Sequence, residues 1–320
     1  MLRFLFWRLL GAAVLILAVS VLAFALVRFL PGGPAQAALG LRASPAEVER
    51  LNAALGLDRP VAVQYAEWLG RALRLDFGTS LSGGARAGTP VADLIARGLA
   101  VTVPLALLGT AIAVAVGLPL GLAAAARAGR GTDRAVSAAA VVALSLPPFY
   151  LGYLLILVFA VRLGWLPSVG YVSPAADPAG FLRIILLPAL TIGIINAAPV
   201  ARTARAAAVE VAAGEPVRLA RLAGAPPGVV WFKHVLRGAM VPVVTVVGLQ
   251  VGFLMGGVIV VENMFALPGL GRQMLIAAEQ RDYPTLQAVI VVFAAAFVLV
   301  NLLVDLLYAA IDPRIRPEGG

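Results

Sequence analysis

The side chains able to do chemistry in this chain are few, and most of them stand together. Its only lysine, Lys233, and its only histidine, His234, are neighbours. They lie in Glu210–Pro242, a polar stretch between two long apolar runs that also carries Arg218, Arg221 and Arg237. Clustered cations of this kind grip an acidic partner or anionic headgroups; they do not by themselves make or break bonds. A second polar set, Asn301, Asp305 and Tyr308, recurs at i, i+4 and i+7 inside the last apolar run and shares one helix face. It fits interhelical hydrogen bonding or a proton or cation site. A proton-driven transporter ordinarily needs more than one such group, which favours the first reading.

Several reaction classes are excluded by what the chain lacks. There is no Gly-x-x-x-x-Gly-Lys-Ser/Thr phosphate loop. A single histidine excludes a His-Glu-x-x-His zinc site. Ser145 precedes Leu146-Pro147-Pro148 and has no Gly-x-Ser-x-Gly elbow around it. With no cysteine, there is no disulfide, thiolate nucleophile or thiolate metal site. No catalytic set and no metal site is expected, and the chain is read as a non-enzyme that something else moves.

The elements that must position these groups follow from composition. The chain is 61% hydrophobic and 13% charged over 320 residues, with mean hydropathy +0.97. A soluble domain is about half apolar and a quarter charged, so this is an all-α integral membrane protein. Six runs are long enough to cross a bilayer, which takes about 20 residues: 9–30, 99–126, 135–161, 184–205, 238–261 and 286–311. Six crossings put both termini on one side. The side of the N-terminus, counting Arg202 and Arg205 at the end of the fourth span, holds 13 of the 25 Lys and Arg residues but only 5 of the 16 acids. The positive-inside bias therefore makes the termini and the 210–237 loop cytoplasmic. It also accounts for the net charge of +9 without nucleic acid. The first run is too long for a signal-peptide core and is expected to remain as a membrane helix.

Between the spans, residues 31–98 form an external segment. Ser44-Pro45-Ala46-Glu47 has the form of a helix start. Tyr65, Leu69 and Leu73 make an apolar stripe at helical spacing. This segment is read as a helical cap on the membrane part or as a contact surface for a soluble donor protein. The 262–285 segment is apolar enough to dip back toward the membrane, with a turn at Pro268-Gly269-Leu270-Gly271. Irregular backbone at that depth must be protein-covered or line a wet cavity. It is placed at the outer mouth of a pathway, with Glu262, Phe265, Pro268, Gly269 and Gly271 as candidate residues. Pro147-Pro148 interrupt the third span, and Pro104, Pro119 and small residues including Gly109, Gly117 and Gly121 mark the second. These features suit close helix packing, a hinge, or both.

The polar island itself reads as helix, break, helix. Gly224 suits a C-terminal cap, Pro226-Pro227 stops the first helix, and a second runs over Val229–Arg237 into the membrane. Arg218 and Arg221, three apart, share a side. A helix pair lying in the headgroups would present the same charges, but it has no need of the Gly-x-Pro-Pro-Gly corner.

This island resembles the cytoplasmic coupling loop, or EAA loop, of ABC importer permeases. Arg218-Leu219-Ala220 stand at its first positions, Gly224 at its glycine, and Ala225–Lys233 as the spacer before His234-Val235-Leu236-Arg237. The leading Glu of the general pattern is absent. The Arg-x-Ala-Arg-x-x-Gly form is similar to the dipeptide, oligopeptide and nickel branch, first-subunit type. Further segments resemble that branch in order: Arg28–Pro34, Leu55–Pro60, Gln64-Tyr65, Asp76–Ser80, Val261–Arg272, Arg281–Pro284 and Asp312–Arg316. Gly33 stands where the branch has an acid.

The resemblance implies an inner-membrane subunit that translocates di- or oligopeptides, with nickel complexes, glutathione or oligosaccharides as the alternatives within the family. It implies a homologous second permease, two ATPase subunits and an extracytoplasmic solute-binding protein as partners. ATP and Mg would be bound by the ATPases and no cofactor by this chain. Arg218, Ala220, Arg221, Gly224, Ala225, Lys233, His234 and Arg237 would dock on an ATPase.

Overall fold

The computed structural model describes residues 2–28, 36, 44–54, 56, 58–82 and 86–311. The Asp312–Arg316 motif, most of Arg28–Pro34, and the Leu55 and Leu57 positions lie outside the described residues, as do the side chains of Asp305 and Tyr308. The described residues form helices: α1 (Leu2–Arg28), α2 (Pro45–Ala54), α3 (Val61–Ala72), α4 (Val91–Ala126), α5 (Gly131–Ser145), α6 (Pro148–Leu155), α7 (Pro178–Ala213), α8 (Glu215–Leu222), α9 (Arg237–Met264), α10 (Leu270–Glu279) and α11 (Tyr283–Ile311). Five helical stretches are long and apolar enough to cross a membrane, or six when the α5–α6 pair counts as one.

That pair departs from a straight third span. α5 and the helix that follows are bent by 104° at Leu146-Pro147. Leu146 is extended (ψ 125°) because the residue before a proline is pushed out of the helical region. Past the corner, Pro148 starts α6, whose last turns widen into a π-helix over Ile156–Arg162. The fourth span is longer than hydropathy suggests and runs through Pro188 and Pro199 without a break. The second starts at Val91, ahead of its apolar run.

The chain divides into two compact units, Met1–Thr102 with Pro268–Leu299, and Val103–Leu267 with Val300–Gly320. In the first, α1 packs on α3 through Phe24, Tyr65 and Trp68, whose ring centroids lie 5.5–6.1 Å apart. Ser20 Oγ and the Tyr65 hydroxyl share a 2.8 Å hydrogen bond. The covered side of α3 is therefore Gln64, Trp68 and Tyr65, and Leu73, read as the end of an apolar stripe, is exposed. The start of α2 is a capping box: Glu47 accepts from the Ser44 amide and hydroxyl at 2.8 and 2.7 Å, and the Glu47 amide points back at the Ser44 hydroxyl. These bonds hold the Glu47 carboxyl below its usual range. A core of Val91, Ile95, Leu270, Ala288 and Val289 joins α4, α10 and α11.

The second unit is built around α7, 61% of whose apolar window is buried against 11% for α1. A helix that is apolar all round belongs at the centre. α4 approaches it through glycines. A Cβ on Gly117 would sit 2.5 Å from the Ala197 carbonyl oxygen, and one on Gly121 would strike the Ala201 carbonyl. This small-residue contact, repeated at four-residue spacing, is how helices close on each other where no water drives them together. Gln250 of α9 donates to the Asn196 carbonyl at 2.9 Å, next to the carbonyl that Pro199 leaves without its helical donor.

Candidate functional site

The 210–237 loop is built outward from α7. Gly214 ends that helix and caps the next, and Pro216 sits in the first turn of α8, where its missing N–H is no loss. Only Val217 of α8 is fully buried. It joins Ala207, Ala208, Val230, Val235 and Ala239 in one apolar cluster. Burying a valine contributes about 1.5 kcal/mol or more, so this one side chain anchors a helix of two turns.

Gly224 closes α8 as expected. Its φ of +78° lies in the left-handed region. The Ala225 amide donates to Ala220 O and the Gly224 amide to Arg221 O, both at 3.0 Å. This is a Schellman closure, and its usual apolar contact is present, because Ala220 and Ala225 both pack on the Val217 cluster. Pro226-Pro227 follows, and the chain turns back at once into helix.

The returning helix differs from the sequence reading. Val229–Arg237 is not a separate element. Helix begins at Pro227, widens into a π-helix over Val230–Leu236 and continues unbroken as α9. Within it Val230 and Val235 are buried, Trp231 and His234 are half-buried, and Phe232, Lys233 and Arg237 are exposed.

What α8 turns outward is mixed. Arg218, Leu219, Arg221 and Leu222 are exposed, with Leu219 at 58% and Leu222 at 76%. Arg218, Arg221 and Leu222 line a groove of about 370 Å³ with Ala212 and Ala213 at the end of α7. Neither arginine has an ion-pair partner among the described residues. The braced two-turn helix thus presents two guanidiniums beside two exposed leucines.

The other sequence candidates fall elsewhere. Glu262, Phe265, Gly269 and Gly271 are buried, and Pro268 is half-buried. Gly269 caps α10. These five positions are thus covered by protein. Asn301 is half-buried on α11.

Two polar clusters carried no signal strong enough to single out beforehand. In the second unit Arg205 of α7 clasps Asp133 of α5 with two guanidinium nitrogens, Nη2 donating to Oδ2 at 2.8 Å and Nε to Oδ1. The Gly129 amide donates to the same carboxylate at 2.8 Å. Asp133 is the sole acid among Arg127, Arg130 and Arg134, which was the available clue. In the first unit Asp282, ahead of α11, accepts from Ser80 Oγ (2.5 Å), Ser82 Oγ (2.8 Å), Thr285 Oγ1 (2.7 Å) and the Leu81 amide (3.0 Å). Burial pushes the Asp282 carboxyl up, but these hydrogen bonds outweigh it and hold the group below its usual range. Asp282 lies inside one of the quoted motifs, though nothing in one sequence says what it holds.

Comparison with known proteins identifies the framework. Residues 117–317 match the family described as binding-protein-dependent transport system inner membrane component, and residues 1–85 match its N-terminal component. The chain belongs to this family. The glutathione transport system permease protein GsiC of Escherichia coli strain K12 is 44% identical to it over 316 residues, 99% of each chain. The GsiC of Shigella flexneri serotype 5b is 43% identical over the same share. A chain from the crystal structure of an amino acid ABC transporter with histidines has the same fold, at TM-score 0.50 and 17% identity over 68% of this chain and 94% of that one. The protein is therefore an inner-membrane ABC transporter permease of the dipeptide, oligopeptide and nickel-type branch. As a permease it works with other ABC components, a partner permease, ATPase subunits and a binding protein.

Proposed function

We propose that this permease is the translocation subunit of an ATP-driven importer of short peptides, di- and oligopeptides including glutathione, and that α8 with the Gly224 turn is where an ATPase subunit grips it. The observation that carries the reading is the exposed Arg218, Leu219, Arg221 and Leu222 surface, braced from beneath by Val217. The loop faces the cytoplasm with both termini, the side that the positive-inside bias of its basic residues supports. ATPase closure pushes on α8; because Val217 ties α8 to α7 and α9, the push reaches the helices at the centre of the second unit. The two ends of the pathway then open alternately, a biased two-state change rather than bond chemistry. Nickel complexes and oligosaccharides are the alternative cargoes. The 44% identity to a glutathione permease favours peptide.

The test is reconstitution of the full transporter with its binding protein. Arg221→Glu or Gly224→Pro lowers both ATPase binding and uptake of glutathione or a dipeptide while the protein stays in the membrane. Normal uptake and assembly by both variants would overturn the docking role, and a wild-type transporter that takes up no peptide would overturn the cargo.

A further inference from the structure

The second unit contains a cleft of about 790 Å³ between the C-terminal half of α7 and helices α5 and α9, and among the described residues two unpaired charges of opposite sign line it. Arg202 and Glu210, both on α7, line it and are exposed, and neither has a hydrogen-bond or ion-pair partner among the described residues. Arg205 also lines it, but its charge is already answered by Asp133. That ion pair fixes one wall, and among the described residues it leaves Arg202 as the cation without a partner. Ser137 and Thr203 add hydroxyls, and Pro242 of α9 adds an apolar face. Eight residues of helix separate the two free charges, about 12 Å along the axis. An extended peptide of three residues spans about 10 Å.

We propose that this cleft binds a short zwitterionic peptide end to end, with the Arg202 guanidinium on its terminal carboxylate and the Glu210 carboxylate on its terminal ammonium. The inference rests on the peptide-importer reading and adds to it the residues that read the termini. Arginine suits the first task, since its planar fork meets both oxygens of a carboxylate. The apolar remainder of the cleft tolerates varied side chains, so selection acts on length and free ends. A carboxylate left without its cation in such a cleft loses binding of about tenfold or more.

The experiment uses the complete purified transporter, nucleotide-free and without binding protein, and measures equilibrium binding of Ala-Ala-Ala, its C-terminal amide and its N-acetyl form. The wild type binds the free tripeptide at least about tenfold more tightly than either blocked form. Arg202→Gln abolishes the preference over the amide and keeps the preference over the acetylated peptide, and Arg202→Lys restores part of it. Glu210→Gln does the reverse. Equal weakening of all three probes, no change in either variant, or no terminus preference in the wild type overturns the site. Uptake of Ala-Ala-Ala and glutathione into wild-type proteoliposomes separates the two proposals. Uptake without terminus preference at the cleft removes this inference alone, whereas no peptide uptake removes the cargo reading and this inference with it.

Discussion

The loop around α8 and the cluster around Asp282 are both polar islands in an apolar chain, and they treat their charges in opposite ways. Arg218 and Arg221 point outward and have no ionic partner among the described residues. Asp282 is 1% exposed and takes four hydrogen bonds from the chain itself. A buried charge survives only if it is satisfied on the spot, so the Asp282 cluster is complete and its work is to hold residues 80–82 against the start of α11. An exposed charge costs little to leave waiting. The α8 surface is therefore the one left open to another molecule, as the docking proposal needs. Both islands rest on a few side chains, but loss of one should unfold and loss of the other should only uncouple.

The sharpest attempt to break this contrast is Asp282→Ala. It strands three hydroxyls and an amide, and is expected to destabilise the protein by about 3 kcal/mol, read as a lower unfolding midpoint in detergent. A midpoint like that of the wild type would mean the cluster is decorative. Next comes Gly117→Leu, which drives a side chain into the Ala197 carbonyl and costs about 1–3 kcal/mol by overpacking; the same midpoint reports it. Gly224→Ala follows. It meets no neighbour, but a Cβ at φ +78° costs about 1–2 kcal/mol, and it should weaken ATPase binding more than it lowers the midpoint, because the strain falls on the turn alone.

Acidification sharpens the contrast further. The folded pKa of Asp282 lies below its unfolded value of about 3.9. Its contribution is whole above that unfolded value and is lost as pH falls through the folded pKa. Asp282→Asn removes this part of the acid limb, so its stability falls less steeply than that of the wild type below about pH 4; identical acid limbs would contradict the assignment. The smallest effect on stability is that of Arg221→Glu, within about 0.5 kcal/mol as for other exposed positions, while ATPase binding drops. Equal losses in both readouts would erase the difference between the two islands.

Local features could be read without the fold because their causes are local. The Ser44–Glu47 capping box and the Gly224 closure each involve residues within five positions of each other. Hydropathy over about 20 residues located the membrane helices for the same reason, although their ends shifted where packing rather than polarity sets them, as at Val91 and Ala213. Pro147-Pro148 announced a break, but a proline pair does not state an angle, and only the structure gives the corner of 104°. The π-helical start of the return from Gly224 was likewise hidden, since an α-helix and a π-helix need no different residue types here.

What the sequence determined by itself was an apolar helical chain with a charged loop closed at Gly224, because bilayer solvation and backbone capping act over a few turns. The partners of the remaining charges were decided only in three dimensions. Asp133 meets Arg205 across 72 positions and Asp282 meets Ser80 across 202. No spacing rule spans such distances. The pairing is set by which helices lie side by side, and that depends on where glycines such as Gly117 let them approach.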